Sequence, residues 1–214
     1  MGTIVSSSLI SKAQTLLQDT AGTRWTSTEL LGWLNDGQRE IVLLKPDANT
    51  SSSTHALAAG TKQTLPSAGI ILVDITRNVT SAGAATGTTI KHISRKQMDA
   101  QIPTWHSSAV GATVKYYMFD PRNPKEFYVY PPSAGANHIE LVYSSTPATI
   151  SVVTAVIGLD DIYANALVDY MLYRAFNKDA DFAGNAQRAI SAYGVFAQAL
   201  GLKETAEAAA EAVV

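Results

Sequence analysis

The chain has 214 residues, 46% of them hydrophobic and 16% charged, with a mean hydropathy of +0.04, which provides enough apolar surface for a real core and excludes wholesale disorder. A net charge of −2 excludes a global basic field that would recruit nucleic acid or an anionic membrane, and the absence of Cys excludes disulfides, thiolate metal sites, cysteine nucleophiles and iron–sulfur clusters. Charged residues fall short of the roughly 25% of an average chain; Ala, Ser and Thr take their place, a composition that suits surfaces covered by other subunits.

From Ile4 to Leu17, apolar residues at 5, 9, 13, 16 and 17 predict a helix with one buried stripe, ending near Asp19 to Gly22. Thr26 with Glu29 fits a capping box, and Leu30, Leu31, Trp33, Leu34, Ile41 and Leu44 predict a second helix stopped by Pro46. Between 51 and 158 the pattern changes to β-branched and aromatic runs punctuated by Gly, Pro, Asn and Ser. It predicts strands near 53–58, 62–65, 70–79, 86–94, 112–119, 126–131, 137–144 and 149–156, with one helical turn at 95–101. The clearest hairpin joins Lys115-Tyr-Tyr-Met-Phe119 to Phe127-Tyr-Val-Tyr130 through Asp120-Pro-Arg-Asn-Pro124. Asp160 and Asp161 then suit the start of a third long helix, apolar nearly all round to Phe176 and so covered on several sides. A fourth carries Phe182, Ala189, Ile190, Tyr193, Phe196 and Leu200 and is expected to end at Gly201, leaving an Ala-rich tail with few bulky anchors.

This order predicts an α+β fold: a helical bundle built from both chain ends with a β-rich insertion domain. The division is 1–50 and 159–200 for the helical domain, 51–158 for the insertion and 201–214 for a C-terminal tail. Residues 1–50 carry 4 bases and 5 acids, 51–158 carry 8 and 5, and 159–214 carry 4 and 8, so the C-terminal part is the acidic one. The start lacks a basic region followed by an apolar stretch, and the longest strongly apolar run, Ile70 to Val73, is far too short for a bilayer. A soluble chain made in the cytoplasm is expected, with the sequons at Asn49 and Asn78 as chance matches.

A search for chemistry finds no positive case for an enzyme. His55, His92, His106 and His138 lie in the β region without the spacing of a helical metal site. Asn177 to Asp181 begins like a calcium loop but has Phe182 where the turn needs Gly. Gly32 and Gly37 have phosphate-loop spacing, yet Gln38-Arg39 follows them inside a helical pattern. No metal or cofactor is expected. Arg77, Lys91, Arg95 and Lys96 form the densest basic group, and Lys115, Arg122 and Lys125 flank the aromatic hairpin; a solvated or subunit-facing edge is favoured over single-stranded nucleic-acid binding.

Three stretches resemble the head-to-tail adaptor (connector) proteins of tailed bacteriophages, the group that includes the tail tubular protein A-like adaptors of short-tailed phages. They are Trp25-Thr-Ser-Thr-Glu-Leu-Leu-Gly-Trp-Leu-Asn-Asp-Gly-Gln-Arg-Glu-Ile-Val42 through Lys45-Pro-Asp-Ala48, then Tyr117-Met-Phe-Asp-Pro-Arg-Asn-Pro-Lys-Glu-Phe-Tyr-Val-Tyr-Pro-Pro132, then Asp161 to Ala180 followed by Tyr193, Phe196 and Leu200 to Lys203. Order and spacing cover most of residues 25–203.

The resemblance implies a structural virion protein at the head–tail junction that forms a ring, twelve-fold in expectation, below the portal protein. Double-stranded DNA would pass its lumen, and a tail or nozzle protein would be its other partner. It makes the C-terminal segment the portal-binding candidate, with Leu202, Lys203, Glu204, Val213 and Val214 as contacts. Tyr163, Leu167, Tyr170 and Arg174 on the apolar helix, with Tyr116, Phe127, Tyr128 and Tyr130 on the hairpin, are the expected subunit interface. Glu204, Glu207 and Glu211 are expected to line the channel as a wall that does not hold phosphate. The competing readings are another neck or tail-completion ring further down the tail, and a β-domain ligand or glycan binder with a cleft around Trp105, His106 and the Tyr116 to Tyr130 aromatics.

Overall fold

The computed structural model describes residues 2–182 and 184–211, and for 85–87 and 202–211 the backbone alone. The fold is mixed α+β, with five α-helices and two four-stranded sheets among the described residues. The chain divides into two compact units, Met1–Ala48 with Pro147–Val214, and Asn49–Thr146. No helix among the described residues is long and apolar enough to cross a membrane.

The first unit holds α1 (Ser6–Leu16), α2 (Ser27–Leu44), α4 (Ala164–Lys178) and α5 (Asn185–Glu211). Thr26 caps α2 by accepting the Glu29 N–H, as its sequence position predicts. Asp160 likewise accepts the Ile162 N–H at the 3₁₀ turn Asp161–Tyr163 that leads into α4. Helices α1, α2 and α5 all pack on α4, which explains why its sequence is apolar on nearly every side. The core combines Leu9 and Ile10 of α1, Leu30, Leu34 and Ile41 of α2, Leu167 and Met171 of α4, and Phe196 of α5. Gly37, once a phosphate-loop suspect, sits at the α2–α4 crossing, where a Cβ would stand 3.0 Å from a Tyr170 ring carbon. The expected stop at Gly201 does not occur. Helix α5 continues to Glu211, as the helix propensity of the Ala- and Glu-rich stretch favours.

The second unit is built from β1 (Thr50–Ala56), β2 (Ala59–Thr64), β3 (Gly69–Val79), β4 (Ala85–Thr89), β5 (Lys91–His92), β6 (Tyr116–Phe119), β7 (Glu126–Ala134), β8 (His138–Ser145) and the short α3 (Arg95–Gln101). One sheet has the order β1-β8-β3-β4, the other β2-β7-β6-β5. The sheets share one core: Ile75, Ile139 and Leu141 from the first meet Tyr117, Phe127 and Val129 from the second. The period of two along β6 and β7 sends Met118, Tyr116, Tyr128 and Tyr130 to the opposite face. There Met98 of α3 and Trp105 of the 3₁₀ turn Trp105–Ser107 cover Met118. The β6–β7 register, with Tyr116 opposite Tyr130 and Phe119 opposite Phe127, is the aromatic hairpin that the Asp-Pro and Asn-Pro pairs predict.

Two predicted strands are corrected. The run 86–94 is split at buried Ile90, so that β4 joins one sheet and β5 the other. The run 149–156 forms no strand: Val156 makes a single bridge to Val5, the carbonyls of Ala155 and Val153 accept from the Ser6 and Ser7 N–H groups, and side chains hold its flanks. Asn35 of α2 accepts the Ile150 N–H at 2.8 Å and donates to the Ile150 carbonyl at 2.9 Å, and Gln38 accepts the Gly158 N–H. These amides give Ile150 and Gly158 the backbone partners a sheet would have supplied. The β unit uses the same device: Asn78 is bonded both ways to Val114 at 2.8 Å, and Gln63 both ways to Ala58.

Candidate functional site

In the helical unit the rings of Tyr170, Tyr173, Tyr193 and Phe196 form a cluster between α4 and α5, with centroids 5.0 to 5.7 Å apart. Tyr193 points its hydroxyl toward the Glu40 carboxylate, and partial burial together with that negative charge raises its pKa. Beyond this cluster the described side chains of α5 bury little. Its inward stripe is Asn185, Ala189, Phe196 and Leu200, while Ile190 is 65% exposed and Val195 is also exposed. Leu43, 74% exposed, and Leu44 stand open at the end of α2. Such large apolar side chains in water are the mark of a surface to be covered.

The end of the unit where α1 meets α2 and α4 meets α5 is tied by charge. Arg24 pairs with Asp179 at 2.8 Å and lies between the rings of Trp25 and Phe182, and Lys178 pairs with Glu29 at 2.6 Å. The calcium-like stretch 177–181 is thus the end of α4 and the start of its connection to α5. Asp161 secures the N-terminal segment by accepting from the Thr3 hydroxyl, the Thr3 N–H and the Ile4 N–H, which holds its carboxyl below the usual range.

The expected interface residues divide sharply. Tyr163, Leu167 and Tyr170 are buried in their own unit by the three helices around α4, and Phe127 is buried between the sheets, so none of these side chains has surface left for a neighbour. Arg174, Tyr116, Tyr128 and Tyr130 are half-buried and keep some. Sequence reading missed Leu44 and Ile190 as surface, because helical periodicity assigns them to apolar patterns without saying which position meets a partner. Val213 and Val214 lie outside the described residues, and the side chains of Leu202, Lys203, Glu204, Glu207 and Glu211 lie outside the description of α5.

The competing ligand-binder reading needs a cleft around Trp105 and His106, and Trp105 offers it no surface. Trp105 is fully buried, its Nε1–H donates to Asp99 at 2.8 Å, and the His106 ring stacks on it at 3.6 Å. Burial and the nearby His138 lower the pKa of His55, and among the described residues no group of His, Asp or Glu is arranged to hold a metal ion.

Exposed apolar side chains on α2 and α5 are the distinctive surface feature of the helical unit. The sequence profile of the SU10 adaptor protein family matches residues 6–214. The chain belongs to the SU10 adaptor protein family. It is therefore a phage adaptor, a structural protein of the virion, and the SU10 adaptor match spans both units. No curated protein matches the sequence.

Proposed function

We propose that the chain is a head-to-tail adaptor of the tail tubular protein A kind. It forms a homo-oligomeric ring of twelve copies, seated between the portal protein and a tail or nozzle protein, with double-stranded DNA passing through the lumen. Membership of the SU10 adaptor family over nearly the whole chain carries this reading. In it, residues 1–50 and 159–200 act as one helical domain built from both chain ends, 51–158 as an insertion facing neighbours or the tail, and 201–214 as the portal-docking segment.

The exposed apolar side chains of α2 and α5, Leu43 and Ile190 foremost, supply lateral contacts, and Arg174 of α4 contributes as well. Tyr116, Tyr128 and Tyr130 contribute contacts from the insertion. Leu202, Lys203, Glu204, Val213 and Val214 bind the portal, and Glu204, Glu207 and Glu211 line the channel, where like charge keeps phosphate from adhering. Assembly takes place in the host cytoplasm, and no step calls for catalysis or a cofactor.

The test is the absolute mass by light scattering, for the chain alone and mixed with the portal protein of the same virus. Joining the portal in equal copy number is the expected result, and Leu43→Glu with Ile190→Glu is expected to abolish ring formation while leaving the helical circular dichroism unchanged. A chain that ignores the portal overturns the reading; one that forms a ring yet binds another neck protein belongs one layer further down.

A further inference from the structure

A groove of about 520 Å³ opens on the β unit between the start of α3 and the β6–β7 turn, with Met118 and Tyr128 among the residues that line it. Its size lies within the range of small-molecule sites, and its lining joins an aromatic ring and an apolar floor to several hydrogen-bonding groups.

Charge narrows the ligand. Arg95, Lys96 and Arg122 face Asp99, Asp120 and Glu126, so the groove is electrically balanced and selects neither a polyanion nor a polycation. The two signs differ in how firmly they are held. Asp99 accepts the indole N–H of buried Trp105 at 2.8 Å. Glu126 is bonded to Lys62 at 2.6 Å and to Asn123 at 2.7 Å, and Asp120 accepts the Arg122 N–H at 3.0 Å. Each carboxylate is therefore oriented by one or two donors and retains acceptor capacity. Arg95 and Arg122 pair with Asp99 at 3.9 Å and Asp120 at 3.5 Å, and Arg95 lies 5.9 Å over the Tyr128 ring, but their side chains are 64% and 93% exposed against 53% and 56% for the two aspartates, so the arginines are the partners a ligand displaces.

Fixed acceptors beside an aromatic wall, in a field of no net sign, call for a neutral ligand with many hydroxyl donors and an apolar face. We propose that this groove binds a neutral carbohydrate, one or two sugar residues in length, with Tyr128 against the apolar face of the ring and Asp99, Asp120 and Glu126 accepting from its hydroxyls. Neither ring assembly nor portal docking enters the argument, so the site stands or falls separately from the adaptor reading.

The Trp105 indole N–H, bonded to Asp99, is a built-in reporter. Titration of the ¹⁵N-labelled full chain with glucose, galactose, N-acetylglucosamine, maltose and lactose, each to about 50 mM in keeping with millimolar affinity, is expected to shift the Trp105 indole resonance and amides of 94–99 and 120–126 for at least one sugar. The indoles of Trp25 and Trp33 should stay in place. Asp120→Ala with Asn123→Ala, on an exposed turn, is expected to weaken binding by about tenfold or more while the remaining amide spectrum is retained. No sugar-induced shift at Trp105 overturns the proposal, as does a shift that survives the double substitution. A response confined to a mixed-charge peptide or to inorganic phosphate also overturns it, assigning the groove to a different ligand.

Discussion

The two units treat their apolar residues differently. The β unit folds its large side chains inward from two sheets and screens the outer face of one sheet with α3 and Trp105, so that Val73 and Val110 are its exposed large aliphatic side chains among the described residues. The helical unit closes around α4 yet leaves Leu16, Leu43, Leu44, Ile162, Phe182, Ile190 and Val195 in contact with water. A sandwich can satisfy itself because each strand offers one face to a shared core. A long helix that packs chiefly on one neighbour, as the described part of α5 does on α4, has no such economy and leaves large side chains such as Ile190 and Val195 in water.

The contrast is broken most directly at the cores. Phe127→Ala should cost the β unit about 3–5 kcal/mol and Leu167→Ala the helical unit about 2–5 kcal/mol, read as lost amide-exchange protection within the substituted unit. A cost below about 1 kcal/mol for Leu167→Ala would mean that α4 is not enclosed and that its face is free for a neighbour after all. Next in size come the amide clamps. Asn35→Ala and Asn78→Ala each leave buried backbone groups of one residue, Ile150 or Val114, without a partner and should cost about 1–3 kcal/mol. Thermal melts check this, and an effect of Asn35→Ala within measurement error would show that the 147–158 segment is held by other contacts.

A smaller effect depends on pH. The hydrogen bonds from Thr3 and Ile4 lower the pKa of Asp161 below its ordinary value of 3.8, so its contribution is fully present above that value and is lost as pH falls through the lowered one. Asp161→Asn should therefore differ from the parent in amide exchange of residues 3–5 at neutral pH and converge with it in acid. A difference that persists unchanged in acid would assign the effect to lost packing. Smallest of all, Ile190→Glu should change the stability of the isolated chain by no more than about 0.5 kcal/mol, since the residue is exposed. A larger loss, measured by denaturant titration, would mean that α5 buries this face within its own unit.

Much of the element order was legible because it rests on local rules. The Thr26 cap, the all-round apolar pattern of α4 and the Asp120 to Pro124 turn each write their geometry within a few residues. Ser94 and Gln97, which form a capping box at α3, carried a signal of the same kind that the reading of 95–101 as a single helical turn left unused. The clamps were not legible, because an Asn in a helix or strand looks alike whether it meets water or a backbone segment 115 residues away. The burial of three expected interface residues within their own unit was not legible for a related reason. Tyr163, Leu167 and Tyr170 have the composition of a contact surface, but composition does not say whether the partner is another subunit or the next helix of the same chain.

Sequence alone determined that the protein has an α+β fold with helices at both ends of the chain and strands between, that it offers no thiol chemistry, and that its three motif stretches resemble phage adaptors. Periodicity, capping and residue inventory are properties of short windows and need no knowledge of distant contacts. Tertiary structure alone decided that one predicted strand divides between two sheets at Ile90, that another is no strand at all, and that Trp105 is a buried support while Tyr128 lines a groove. Those outcomes depend on which distant groups satisfy a backbone amide or cover an aromatic ring, and such pairings come into existence when the chain folds.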